Sequence, residues 1–117
     1  MSDTLKGSCH CGAVAFEFEG PVSEGMSCNC SWCRRRGSIL HFVPAAAFRQ
    51  TAGAEALRLY RFNQKTIDHL FCATCGIESF GRGKLPSGEE MVAVNLRCVP
   101  AVDLDALSIK KVDGASF

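Results

Sequence analysis

The chain has 117 residues, with 13 basic and 12 acidic side chains and a net charge of +1. Two cores would each be built from about half a minimal domain, so residues 1–117 are expected to form one domain. The balanced charge gives no electrostatic reason for nucleic acid or an anionic membrane as main partner, and no apolar run approaches the ~20 residues that span a bilayer.

Glycine and proline recur at short intervals, and the stretches between them alternate with period two, which predicts an all-β chain of six or seven short strands. In chain order, Val14, Phe16 and Phe18 share one face of the first predicted strand, and Ile39, His41 and Val43 alternate with Leu40 and Phe42 in the second. Leu57, Leu59 and Arg61 alternate with Arg58, Tyr60 and Phe62 in the third, and further strands are expected over 66–71, 77–82 and 91–98. The last places Val92, Val94, Leu96 and Cys98 on one face. The helical expectation is a connector of barely more than one turn at 45–49, where Pro44 suits a first turn and alanines favour helix. Beyond Pro100, the apolar Val102, Leu104, Leu107 and Ile109 suffice to pack the tail on the body. No repeat or linker interrupts the chain.

Residues 1–6 carry no apolar stretch behind their charges, which predicts no secretory signal and a cytoplasmic location. Eight cysteines in a reducing compartment read as metal ligands or catalytic thiols in preference to disulfides. They fall as Cys9 and Cys11, then Cys28, Cys30 and Cys33, then Cys72 and Cys75, with Cys98 alone. On an extended strand, positions i and i+2 face the same way, so Cys9 and Cys11 can offer two sulfurs to one ion. Cys72 and Cys75, followed by Gly76, have the spacing of a zinc knuckle. Together these four predict a closed, structural zinc site that staples a small β domain.

The middle group supplies three thiolates from six residues. Structural sites fill all four positions, whereas three protein ligands leave one open to water or substrate. This reading requires that Cys98 pack in the core as a small hydrophobe. His41 and His69 are other possible fourth ligands, although lone histidines on strands read first as packed or surface residues, and His10 projects away from its cysteine neighbours. Zinc on three thiolates carries a formal −1, which makes it a weak Lewis acid for water but a good host for a fourth sulfur. Hydrolysis is therefore the poorer expectation and thiol chemistry the better one. Arg34, Arg35 and Arg36 directly after Cys33 offset the negative charge and can hold a substrate carboxylate.

The segments Gly7-Ser8-Cys9-His10-Cys11-Gly12, Cys28-Asn29-Cys30-Ser31-Trp32-Cys33-Arg34-Arg35, Phe71-Cys72-Ala73-Thr74-Cys75-Gly76, Val94-Asn95-Leu96-Arg97-Cys98 and Asp113-Gly114 stand in this order. The pattern resembles the glutathione-dependent formaldehyde-activating enzyme family, which includes centromere protein V, over nearly the whole chain. The resemblance implies a β-tent of short antiparallel strands. It implies a structural zinc on Cys9, Cys11, Cys72 and Cys75, and a catalytic zinc on Cys28, Cys30 and Cys33. The family's named reaction adds glutathione to formaldehyde, and members are classed as carbon–sulfur lyases.

The expectation that follows is an enzyme with two zinc ions per chain. It presents a small thiol, glutathione in the family's reaction, to an aldehyde such as formaldehyde, with Arg34 and Arg35 steering an acidic thiol. The rival readings are a non-enzymatic zinc module that contacts nucleic acid through Trp32 and the arginines, and a redox sensor in which the metal-free trio forms a disulfide. Exposed strand edges are compatible with a monomer or a homodimer.

Overall fold

The computed structural model describes residues 4–61 and 67–116. Among them are ten strands: β1 (Thr4–Ser8), β2 (Ala15–Glu19), β3 (Glu24–Cys28), β4 (Leu40–Pro44), β5 (Phe48–Ala52), β6 (Leu57–Tyr60), β7 (Asp68–Cys72), β8 (Phe80–Lys84), β9 (Glu90–Asn95) and β10 (Ser108–Val112). One short helix, α1 (Ser31–Arg36), accompanies them, so the fold is all-β as expected. The strands form a three-stranded sheet, β1-β2-β5, and a seven-stranded sheet, β10-β3-β4-β9-β8-β7-β6. The pairings are antiparallel apart from β10, which runs parallel to β3.

The two sheets share an apolar core. Phe16 and Phe18 of β2 are almost fully buried, Phe16 stacks on Phe48 of β5 at 5.6 Å, and it meets Phe80 of β8 edge-on at 5.9 Å. Val43, Val92 and Val94 complete this side of the large sheet. Because strand side chains alternate between faces, the register fixes what lies on the other side. Tyr60 pairs with His69, His69 with Gly81, Gly81 with Ala93 and Ala93 with Phe42, one row across β6, β7, β8, β9 and β4. In the middle of that row the side chains are a hydrogen atom and a methyl group. Helix α1 crosses above this face: it starts beside β3, and its Trp32 stacks on Tyr60 of β6 at 4.6 Å.

Several expectations are corrected. The segment expected to be helical is a single 310 turn, Ala45–Ala47, and the helix lies at Ser31–Arg36 instead. Six residues with no buried side chain carry no apolar period, and the cap is the Cys30 thiol, which accepts from the Cys33 N–H. Cys9 and Cys11 lie in the turn between β1 and β2, not on a strand. Strand β9 ends at Asn95, and Leu96–Cys98 is a 310 turn, so Cys98 packs half-buried against the core without continuing the strand face. Strands β1, β3, β5 and β10 were not expected. Each is polar or glycine-bearing and is held by its neighbour's hydrogen bonds more than by its own pattern. In the third predicted strand Leu59 and Tyr60 are exposed, since β6 is a sheet edge. Phe62 and Thr66, at the ends of two predicted strands, lie outside the described residues. In the tail, Val102, Leu104 and Leu107 pack on the core, while Ile109 is exposed.

Candidate functional site

The outer cysteine pairs meet at one end of the core. Cys9 and Cys11 are brought together by a loop closed by hydrogen bonds from the Cys9 N–H to the Val14 carbonyl and from the Gly12 N–H to the Cys9 carbonyl. Cys72 ends β7, and a tight turn then presents Cys75. Gly76 completes that turn at φ +79°, a conformation that disfavours a side chain. The four Sγ atoms lie within 4.8 Å of one another, with Cys9 to Cys11 at 3.7 Å and Cys11 to Cys72 at 3.6 Å. Four sulfurs each ~2.3 Å from a tetrahedral ion stand about 3.8 Å apart, so the donor set fits zinc in chemistry and in spacing. Backbone N–H groups of Cys11 and Ile77 hold the Cys75 thiol at about 6, and those of Cys75 and Thr74 lower Cys72. These donors favour the thiolate, the form that binds metal.

Cys28, Cys30 and Cys33 form a second cluster of Sγ atoms within 4.8 Å, built where β3 passes into α1. Among the described residues no fourth Cys, His, Asp or Glu joins it. Burial opposes ionisation of Cys30, but N–H groups of Cys33 and Trp32 and the neighbouring thiols outweigh it and lower its pKa. Burial pushes Cys33 up. The three-thiolate set suits zinc, with sulfur the softest ligand type available.

The chain's end buttresses this cluster. β10 lies along β3, placing Val112 beside Cys28. The Asn29 side chain then donates to Asp113 Oδ1 at 3.0 Å and accepts from the Ala115 N–H at 2.9 Å. Gly114 packs so closely that a Cβ there would overlap Cys28 Sγ.

Between α1 and the outer face of the large sheet is a cavity of about 400 Å³, and all three cysteines line it. His69, Glu78 and Trp32 line it as well. His69 is buried on β7, with Nδ1 3.1 Å from Glu78 Oε2. Trp32 Nε1–H donates to Glu78 Oε1 at 2.7 Å, and the Arg36 guanidinium lies 4.0 Å from the same oxygen. Glu78, itself only 8% exposed, is therefore surrounded by donors that satisfy a carboxylate. The contact with Glu78 through Nδ1 fixes the orientation of the His69 ring at the cavity wall.

Arg34 and Arg35 are exposed on α1 and are not among the cavity-lining residues; Arg35 donates to the Ser31 carbonyl. Arg36 is the engaged one: it donates to the Gly76 carbonyl at 2.7 Å and covers the Trp32 ring at 4.8 Å. Trp32 is thus built into the cavity wall. His41 packs against Phe18 and His10 is exposed in its loop, and neither joins a cysteine cluster. Cys98 stands apart from the trio, its thiol pKa raised by burial. Sequence reasoning missed the pairing of His69 with Glu78. The available sign was a glutamate at position 78 inside a predicted strand, where alternation alone gives no reason for an acid.

Residues 4–107 match the family described as glutathione-dependent formaldehyde-activating enzyme. The fold is also similar to the crystal structure of a Rhodobacter sphaeroides protein solved as a structural-genomics target. The two are 36% identical over 91% of this chain and 100% of that one, with a TM-score of 0.77. With the cysteine clusters, the cavity and these matches together, the chain belongs to the glutathione-dependent formaldehyde-activating enzyme family.

Proposed function

We propose that the protein is a zinc-dependent carbon–sulfur lyase-type enzyme that adds a small thiol, glutathione in the family's reaction, to an aldehyde such as formaldehyde, and runs the reverse cleavage. The observation that carries this reading is that the Cys28, Cys30 and Cys33 trio and the His69–Glu78 pair line one cavity. Zinc on the trio would supply an exchangeable position that favours the thiolate form of a thiol.

The chain's own residues then handle the proton. Glu78 fixes His69 by its Nδ1, and Nε2 takes the proton from the thiol. As the sulfur–carbon bond forms and the carbonyl π bond opens, the same nitrogen returns that proton to the carbonyl oxygen. Atoms and charge balance within thiol plus aldehyde, and no oxidant or reductant enters. Trp32 and Arg36 hold the Glu78 side chain in place. Arg34 and Arg35 attract the carboxylates of an acidic thiol from outside the cavity. Cys9, Cys11, Cys72 and Cys75 hold the second, structural zinc.

Protein purified under reducing conditions is expected to contain two zinc ions per chain and to accelerate thiol-dependent aldehyde consumption. Cys30→Ser is expected to contain one and to lose the acceleration. A variant that keeps both zinc ions and an unchanged rate would show that the trio is not the reactive centre.

A further inference from the structure

We propose that the aldehyde taken by this site carries an apolar body of several carbons, which occupies the cavity under α1 while its carbonyl meets the cysteine trio and His69. The inference rests on the thiol–aldehyde reading above and names its substrate class. Formaldehyde has two heavy atoms and needs about twice the ~30 Å³ of a water molecule. The cavity is about 400 Å³, within the range of pockets that enclose far larger organic ligands.

Its walls specify the kind of ligand. On the sheet face Met26, Leu40 and Phe42 line the space, joined by Ile67 in the bend before β7 and Val112 of β10. Phe42 and Ile67 remain 45% and 49% exposed, large apolar side chains kept partly open to solvent beside a reactive centre. The cavity floor is low because Gly81 and Ala93 stand between His69 and Phe42 in the cross-strand row. A bulky residue at either position would fill it.

Among the described residues, no lysine or arginine lines the cavity, and Glu78 contributes a negative charge. Among the described lining residues, a tripeptide thiol with two carboxylates finds no lysine or arginine to pair with, so carboxylates drawn inside would lose hydration without a salt bridge. On this reading only the sulfur approaches the trio and the charged body stays outside. An alkyl or aryl chain, in contrast, gains from every methylene that enters.

Two measurements on the zinc-loaded full chain test this. The first uses unreactive carbonyl analogues, formamide, butanamide and hexanamide, and follows the amide NMR signals of Phe42, Ile67 and Ala93. Burial of a methylene is expected to tighten binding about fourfold, so Kd should fall steeply along the series. Equal Kd values, or displacement of hexanamide from these residues by S-methylglutathione, would overturn the inference. The second compares formaldehyde, acetaldehyde, butanal and pentanal with saturating glutathione, each rate divided by its uncatalysed rate. The ratio is expected to rise several-fold per methylene, and Ala93→Leu is expected to flatten that rise. Should Ala93→Leu fail to fold, the wild-type series decides. If formaldehyde is accelerated as strongly as pentanal, the lyase reading stands and the apolar-body inference fails. If no aldehyde is accelerated, the lyase reading itself fails.

Discussion

Replacing Glu78 by glutamine keeps the shape of the side chain but removes its charge. Glu78 is 8% exposed, accepts from Trp32 Nε1 at 2.7 Å and lies 3.1 Å from His69 Nδ1. In Glu78→Gln the amide oxygen can still accept from Trp32, as a neutral hydrogen bond weaker by about 1 kcal/mol than a charged one. The amide NH2 then faces Nδ1 as a donor, so the imidazole proton moves to Nε2 and the ring no longer accepts a proton from the thiol. The expected stability loss is about 1–2 kcal/mol, or roughly 4–8 °C in Tm for a domain of this size. The expected rate loss is far larger, about 10²- to 10⁴-fold, the usual contribution of a positioned acid–base group. Thermal melts, zinc content and the rate of thiol-dependent aldehyde consumption are measured on the same preparation. A variant with two zinc ions, the lowered Tm and a rate within about twofold of wild type would refute the role given to this pair.

Three further outcomes follow from the geometry. Gly114→Ala places a methyl group against Cys28 Sγ and is expected to weaken zinc on the trio about 10- to 100-fold while the four-cysteine site stays filled, giving close to one zinc per chain after dialysis against a mild chelator. Phe16→Ala removes a ring that is 1% exposed and touches Phe18, Phe48 and Phe80, and should destabilise by about 3–5 kcal/mol in chemical denaturation. Burial lowers the pKa of His41, so the folded chain binds fewer protons there than the unfolded chain below pH 6.5. Its neutral state supports the fold above that pH and weakens it as pH falls towards the folded pKa, so His41→Gln should show a smaller drop in Tm between pH 7.5 and 5.5 than wild type.

The local chemistry of this protein can be read from the chain because neighbouring positions carry it. Cys72, Cys75 and Gly76 form a knuckle from five consecutive residues, and Cys28, Cys30 and Cys33 converge through one strand end and one helical turn. Alternation likewise marks Phe16 and Phe18 as core, since a strand with one buried face must repeat every second residue. Helix α1 escapes such reading because six residues are too short for a period. Strand β10 escapes it because its exposed residues are held in place by pairing with β3.

Long-range register determines the rest. Trp32 and Glu78 are 46 positions apart, and nothing near either residue announces their hydrogen bond. His69 faces the cavity because β7 pairs with β8 in one register; a shift of one residue would turn it to the opposite face. The cavity arises because Gly81 and Ala93 fall opposite each other on adjacent strands beneath α1. Spacing along the chain therefore establishes which thiols can share a metal. Only the packing of distant strands establishes that His69, Glu78 and the apolar walls stand around them, because those contacts exist only after the sheet has closed.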